Sequence, residues 1–361
     1  MTMHPLTGLE IELIEHWQRG LPLEPRPYAA MAERLGVAEK AVITALGHLY
    51  DAGILSRVGA TLRPNTAGAS LLAAMCVPRG RLDEVAAIVN AEPGVNHNYE
   101  REHEINLWFV VTGRDRAALD TALARIRAAS GIDVLELPLV KSYHIDLGFS
   151  IGRGAPSPLG DRDGMTGRVA VADLPEPAEF PRAGDPLQDQ DTAATTRVER
   201  QASVDTHDIC LLQALEHGLT LDPAPYAALA ARCGATEADV ISRIGRLVDM
   251  GVISRFGLIV RHRALGITAN AMAVWDVADE DVDGIGACLA REPAVNLCYR
   301  RPRRLPDWPF NLFCMVHGRE RDEVRGEIAA MAGRAGLDRL PNAVLFSRRC
   351  FRQRGPSLRA A

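Results

Sequence analysis

Aromatic residues make up only 5% of this 361-residue chain, so each one merits placing. No apolar run approaches the roughly 18–20 residues that a helix needs to cross a bilayer, which argues against a spanning helix. The segment from Met1 to Glu10 lacks the basic flank and apolar core of a secretory signal. The seven cysteines (Cys76, Cys210, Cys233, Cys288, Cys298, Cys314 and Cys350) contain no C-x-x-C pair, and their number is odd. They read as reduced thiols of a cytoplasmic protein, with no bound metal expected. A basic excess is missing too. Lys and Arg total 41 against 46 Asp and Glu, a formal charge of −5, which weighs against a bulk nucleic-acid binder. The charge is uneven, however, and arginines crowd the chain from Arg300 onward.

What is present begins with a repeat. Residues 27–68 (PYAAMAERLGVAEKAVITALGHLYDAGILSRVGATLRPNTAG) align without a gap with residues 225–266 (PYAALAARCGATEADVISRIGRLVDMGVISRFGLIVRHRALG), and close to half the positions are identical. Tyr28 falls on Tyr226, Gly53 on Gly251 and Arg57 on Arg255. Similarity resumes where EPGVNHNY (92–99) meets EPAVNLCY (292–299), and where Asn106-Leu107-Trp108 meets Asn311-Leu312-Phe313. The unit is roughly 145 residues long, so this is a duplicated domain pair and not a solenoid. Between the copies, 151–204 is rich in Pro, Gly, Asp and Ala with Phe180 as its only aromatic. Such a segment buries too little apolar surface to offset its ordering entropy, and it reads as a flexible linker. It would let the two halves pair within one chain as a homodimer does.

Each copy opens with three helical patterns, expected at Leu9–Gln18, Tyr28–Leu35 and Ala38–Ala52. A strand or wing at Ile54–Leu62 completes a winged helix-turn-helix. Next come a strand (Leu71–Val77), a helix (Arg81–Ala91), strands at Val95–Glu102 and Ile105–Thr112, a helix (Arg114–Ala129) and one strand from Val134 to His144. That order is the ferredoxin-like βαββαβ unit, repeated from Thr268 to Phe351. The expected domains are 1–66, 67–150, the linker 151–204, 205–265 and 266–361, in an α+β fold. Helix-turn-helix followed by ferredoxin-like domain resembles the Lrp/AsnC family of transcription regulators, and VISRIGRLVDMGVISRFG (Val240–Gly257) is similar to that family's recognition helix and wing. Yet a recognition helix presents Arg, Lys, Asn or Gln to DNA. Here the N-terminal ends carry Glu39, Glu237 and Asp239. These modules read as structural or dimerising, and DNA binding is not expected.

The segment VNHNYEREHEINLW (95–108) is more polar than its fold requires. Strand alternation puts His97, Tyr99 and Arg101 on one face, joined by His103 if the strand runs on. That row belongs on the face the helices leave bare, lining a pocket, or else on a solvated hairpin. A metal site from His97 and His103 lacks a third ligand. In the last strand, KSYHIDLGF (Lys141–Phe149), His144 lies beside Tyr143, as an edge residue or a contact. The second copy keeps Tyr299, has Leu297 in place of His97, and adds Arg300, Arg301, Arg303 and Arg304 around Pro302. Aligning Ser142 with Ser347 puts Arg348 at the position of Tyr143 and Arg349 at that of His144. One half thus offers exchangeable protons and the other fixed positive charge.

The strings HNYEREHEINLWFVVTG and CYRRPRRLPDWPFNLFCMVHG resemble the two subunit types of the siroheme decarboxylases of haem d1 and alternative haem biosynthesis, fused in one chain. The resemblance spans nearly all but the linker. It implies removal of the C12 and C18 acetate carboxyls of siroheme as CO2, giving 12,18-didecarboxysiroheme. On this reading His97 and His103 supply acid catalysis and Tyr99 orients the reacting group. Arg101, Lys141, His144, Tyr299, Arg300, Arg301, Arg303, Arg304, Arg348 and Arg349 would hold the carboxylates of the substrate. No separate cofactor is implied, because the substrate brings its own iron tetrapyrrole. Paralogous decarboxylase subunits are the expected protein partners, besides a pseudo-dimer within the chain or a homodimer. Two other readings stay open: a DNA-binding regulator, and a tetrapyrrole carrier without catalysis.

Overall fold

Duplication of sequence becomes reciprocity of structure. The computed structural model describes residues 6–66, 68–145, 148 and 204–355. The expected linker, 151–204, lies outside them apart from its last residue. Two compact units are distinguished, one holding residues 6–61 and 217–266, the other 62–145, 204–216 and 267–355. Among the described residues, no helix is long and apolar enough to cross a membrane.

The first unit contains α1 (Gly8–Trp17), α2 (Pro27–Leu35), α3 (Glu39–Asp51) and β1 (Leu55–Leu62) from the first copy. The second copy, whose opening helix is α6 (Thr206–Leu215), adds α7 (Pro225–Cys233), α8 (Glu237–Asp249) and β7 (Ile253–Val260). Helix starts are encoded locally. Thr7 and Glu10 form a capping box at α1, and Asp205 and Asp208 repeat it at α6. Strands β1 and β7 pair with each other in a two-stranded sheet, and the links between the copies come in matched pairs. Leu21 N–H donates to the Phe256 carbonyl and Leu219 N–H to the Val58 carbonyl. Tyr28 Oη donates to the Thr220 carbonyl at 2.9 Å and Tyr226 Oη to the Pro22 carbonyl at 2.7 Å. Each helix-turn-helix therefore completes the other's backbone hydrogen bonding.

A close approach is at Gly257, where an added Cβ would stand 2.4 Å from the Trp17 carbonyl oxygen and 2.6 Å from that of Gln18. Both are backbone atoms that no rotamer change can move. Gly257→Ala is expected to destabilise this unit by about 1–3 kcal/mol, read as a lower urea midpoint. An unchanged midpoint would mean that the two backbones separate at little cost.

The second unit carries the two βαββαβ repeats. The first comprises β2 (Ala69–Met75), α4 (Leu82–Ala91), β3 (Val95–Arg101), β4 (Leu107–Gly113), α5 (Arg116–Ser130), β5 (Leu135–Pro138) and β6 (Lys141–Ile145). The second comprises β8 (Ala269–Trp275), α9 (Val282–Leu289), β9 (Val295–Arg300), β10 (Leu312–Gly318), α10 (Arg321–Arg334) and β11 (Asn342–Gln353). One nine-stranded sheet runs in the order β5-β2-β4-β3-β11-β8-β10-β9-β6. Alternation sends Leu71, Ala73 and Met75 of β2 toward α4 and α5, and Ala271, Ala273 and Trp275 of β8 toward α9 and α10. The other faces meet in a third core that mixes the halves: Ala74, Trp108 and Leu137 with Met272, Val274, Phe313 and Leu345. What the helices of one repeat leave bare, the other repeat covers. The repeated Asn-Leu-aromatic motif has a structural task here. The side-chain oxygens of Asn106 and Asn311 accept from Val77 N–H at 3.0 Å and Val277 N–H at 2.9 Å, clasping each turn to the end of a neighbouring strand.

Two expectations are corrected. The last strand of the first repeat is not continuous over Val134–His144. It breaks after Pro138, and β6 crosses to pair with β9 of the second repeat, as β11 runs on from β8 to pair with β3 of the first. The register then fixes the equivalences. Leu137 and Leu345 face Leu72 and Met272, while Ser142 and Cys350 face Tyr299 and Tyr99. Tyr143 is therefore matched by Phe351 and His144 by Arg352, three residues from where the Ser142–Ser347 alignment put them. A chain crossing between sheets is governed by pairing partners, which local similarity does not encode.

Candidate active site

Strand β3 does present His97, Tyr99 and Arg101 together on the side away from the helices, but by way of a bulge. The register slips between Val95 and His97, and Asn96 takes up the extra residue. Val95 thus joins the helix-covered core, and Asn98 donates to the Ala86 carbonyl on α4. Without the bulge, Val95 would share a face with His97. The same slip recurs at Asn296, in the repeated Val-Asn motif. The His97 and Tyr99 rings stack with centroids 6.3 Å apart, and the Arg101 guanidinium lies 5.8 Å from the Tyr99 centroid. Burial lowers the His97 pKa to about 4, so the ring is neutral at pH 7. Its Nδ1 lies 2.9 Å from Asn96 Oδ1.

His103 does not extend this row. The strand ends at Arg101, whose N–H donates to the Asn106 carbonyl at 2.7 Å, while His103 N–H turns back to the Arg101 carbonyl. The imidazole packs edge-on to Trp308 at 5.4 Å, and its Nδ1 accepts from Ile105 N–H at 3.0 Å, which leaves the proton on Nε2. Its pKa is lowered by burial, against a smaller opposing effect of Glu104. Trp308 comes from the second repeat, whose longer turn between β9 and β10 drives it into the seam beside Trp108 (5.0 Å), Phe310 (5.0 Å) and Phe313 (6.0 Å). The indole is wholly buried, and its Nε1 has no hydrogen-bond partner among the described residues.

The second repeat mirrors the row with Leu297, Tyr299 and Arg301. Arg101 Nη1 donates to the Leu345 carbonyl and Arg301 Nη1 to the Leu137 carbonyl, the same strand position in the opposite repeat. Beyond that the two arginines differ. Arg101 Nη1 is also held by Asn270 Oδ1 at 3.3 Å. Arg301 has no ion pair among the described residues, and its Nε is buried without a partner. Desolvation pushes its pKa down to about 10. It lies 5.3 Å from the Tyr299 centroid and 5.9 Å from that of Phe313. A buried guanidinium with no counter-ion is costly unless an anion completes it. Burial also raises the Tyr299 pKa, keeping that phenol protonated.

The remaining expected contacts lie elsewhere. Lys141 and Arg300 face the helix side and pair with Asp283 at 3.0 and 3.6 Å, and Arg300 also with Asp279 at 3.2 Å. Burial works against the Asp283 carboxylate, but hydrogen bonds from Tyr143 and Lys141 outweigh it and lower its pKa. Arg303 binds Asp276 at 2.7 Å and Asp279 at 2.9 Å. Arg348 pairs with Glu102 at 3.3 Å, and Arg349 with Glu100 at 2.6 Å and Asp83 at 2.8 Å. These five cations are engaged by the protein's own carboxylates, brought beside them by tertiary contacts that sequence spacing does not reveal. Arg304 is exposed and donates to the carbonyls of Glu136 and Arg303. His144 stands half-buried on the outer strand β6, opposite Cys298. The structure thus forms two groups, His97, Tyr99 and Arg101 along β3, and His103, Tyr299 and Arg301 around Trp308 and Phe313.

Sequence reading passed over Trp308, Asn270 and His317. A signal for His317 existed, since aligning Asn106-Leu107-Trp108 with Asn311-Leu312-Phe313 sets it opposite Thr112, a histidine that only the second copy carries there. The acidic first turns of α3 and α8 are as expected. Glu39 pairs with Arg26, while Thr236 Oγ1 caps Asp239 N–H at 3.2 Å. Carboxylates there favour the helix and oppose phosphate. Among the described residues, no group of three or more His, Cys, Asp or Glu is placed to hold a metal ion.

Comparison with known proteins gives a consistent picture. The profile of the AsnC-like ligand binding domain matches residues 67–144 and 264–352, and that of the siroheme decarboxylase NirDL-like HTH domain matches 10–55 and 208–253. The siroheme decarboxylase NirDL subunit of Paracoccus denitrificans is 47% identical over 356 residues, 98% of either chain. The NirD subunit of Stutzerimonas stutzeri is 50% identical over 150 residues, covering 42% of this chain and 98% of that subunit. A crystal structure of the siroheme decarboxylase NirDL in complex with an iron-uroporphyrin III analogue superposes with a TM-score of 0.63 at 22% identity, covering 97% of this chain and 93% of that one. The last likeness shows the shared fold.

Proposed function

The chain belongs to the siroheme decarboxylase NirDL family, and from that premise we propose that it decarboxylates siroheme, removing the C12 and C18 acetate carboxyls to give 12,18-didecarboxysiroheme. The observation that carries the residue-level reading is Arg301, set among aromatic rings with its Nε buried and unpartnered and with no counter-ion among the described residues. A substrate carboxylate completes it. In each decarboxylation the bond from the acetate CH2 to its carboxylate breaks, CO2 leaves, and the electron pair passes into the pyrrole ring. A proton then lands on the former CH2 to make a methyl group. The substrate's macrocycle is the electron sink, and this reading needs no separate cofactor.

His103, beside Trp308, is assigned as a proton donor in its imidazolium form, which substrate carboxylates would favour, with His97 as the second. His97 is a neutral imidazole in the empty protein because charge is disfavoured where it is buried. Arriving carboxylates favour the imidazolium and raise its pKa toward the range useful for acid catalysis at neutral pH. Tyr99, stacked on His97, orients the ring. Arg101 faces the same bare side and contributes positive charge. Paralogous subunits of the same family are the natural protein partners, given relatives that occur as separate half-length chains.

Anaerobic incubation with siroheme, followed by mass spectrometry of the extracted pigment, tests the function. Two successive losses of the mass of CO2 are expected. Siroheme bound but unchanged would replace the enzyme with a carrier or an incomplete complex, and no binding would overturn the reading.

A further inference from the structure

Five consecutive strands of the second unit, β3-β11-β8-β10-β9, each contribute one polar side chain to a continuous hydrogen-bonded row: Arg101, Ser347, Asn270, His317 and Asn296. Asn270 is 5% exposed and Arg101 7%, so the row is largely withdrawn from water. Its polarity of donation follows from chemistry. An arginine can only donate, so the oxygen of Asn270 must face Arg101, where it also accepts from Ser347 Oγ at 3.0 Å. The amide nitrogen of Asn270 must then face His317 Nε2, 2.6 Å away, and Nε2 must be the acceptor. That leaves the proton of the ring on Nδ1, which donates to Asn296 Oδ1 at 2.8 Å. Each member dictates the orientation of the next, from Asn296 to the guanidinium of Arg101.

The first repeat has no such chain around Arg301. Register places Ser70 where Asn270 stands and Thr112 where His317 stands, and Arg301 Nε is left without a partner. We propose that His317 is a positioning residue which, through Asn270, fixes the Arg101 guanidinium beside Tyr99, so that one repeat presents a pre-oriented cation and the other Arg301, which has no ion pair among the described residues. Neither His317 nor Asn270 touches the reacting atoms in this role. The inference rests on the siroheme reading for the identity of the anion, and it explains how a duplicated scaffold holds two chemically unlike arginines at equivalent positions.

The test compares His317→Leu, His317→Gln and Asn270→Leu with the native chain, reading KM and kcat for siroheme separately, alongside the thermal midpoint. Loss of one hydrogen bond that orients a charged donor corresponds to about a tenfold change. His317→Leu and Asn270→Leu are expected to raise KM about tenfold and to leave kcat within about twofold. Glutamine at 317 can offer its side-chain oxygen to the Asn270 amide as Nε2 does, so His317→Gln is expected to restore most of the native KM. An unchanged KM in both leucine variants would overturn the proposal, as would a joint fall of kcat and midpoint that glutamine does not rescue. If the native chain binds siroheme without converting it, the proposed function fails alone, and the variants are read by siroheme affinity from its visible absorbance. If the native chain does not bind siroheme, both fail.

Discussion

Replacing Arg301 by methionine is expected to make the empty protein more stable and its substrate far harder to hold. The guanidinium pKa is pushed down to about 10 because burial desolvates it and no counter-ion stands beside it among the described residues. The sign follows directly. The folded state sheds this proton more readily than the unfolded state, so the charge opposes folding at every pH below about 10, and the penalty shrinks as pH rises above that toward the ordinary arginine range. A shift of that size corresponds to about 3 kcal/mol. Methionine fills a similar volume against Tyr299 and Phe313 without charge, and removal of a buried uncompensated ion stabilises by about 1–4 kcal/mol. With substrate present the balance inverts. A carboxylate desolvated against this site would lose its partner, at about 2–5 kcal/mol, so siroheme affinity should fall about 30-fold or more. Chemical denaturation at pH 7 and a siroheme titration measure the two effects on one variant. A less stable Arg301→Met protein with native affinity would show that Arg301 serves the fold.

Turnover is expected to fail in His103→Ala and in His97→Ala while siroheme still binds. A positioned general acid contributes about 100- to 10,000-fold, so kcat should drop by at least about two orders of magnitude in each variant. The pH profiles carry a further signature of His97. With a pKa of about 4 in the empty protein, its protonated form is scarce at neutral pH, and kcat/KM should decline as pH rises from about 4. In the complex the carboxylates of the substrate raise this pKa, so kcat should hold to higher pH before declining. Folding is linked to the same proton. Because the folded pKa lies below the ordinary 6.5, the unfolded state takes the proton first on acidification, and stability falls between pH 6.5 and about 4. His97→Ala should remove that part of the acid sensitivity. Native kcat in both alanine variants would reassign the proton donor altogether.

Much of the architecture was legible because it is local. The expected ends of α1 to α5 fall within a residue or two of those observed, since capping boxes, a proline at the first turn of α2 and left-handed glycines such as Gly36 and Gly234 act over a few residues. The duplication was legible because both copies fold under the same constraints. The row of His97, Tyr99 and Arg101 was legible from strand period alone, but the bulge at Asn96, which breaks that period and sends Val95 to the core, was not.

The arginines were not so easily sorted. Composition marked the run from Arg300 to Arg304 as one basic cluster, but alternation and a turn disperse it: Arg300 goes to Asp279 and Asp283, Arg303 to Asp276 and Asp279, and Arg301 alone of these to the buried seam. By itself, then, the amino-acid sequence determined the secondary elements, the two-copy plan and the chemical types available, because each depends on neighbours within a turn or a strand. Only the tertiary structure decided which charges are already neutralised, which repeat supplies Trp308 to His103, and which arginine has no counter-ion among the described residues. Those outcomes depend on the crossing of β6 and β11 between repeats, which brings together residues whose pairing is written nowhere in their local sequence.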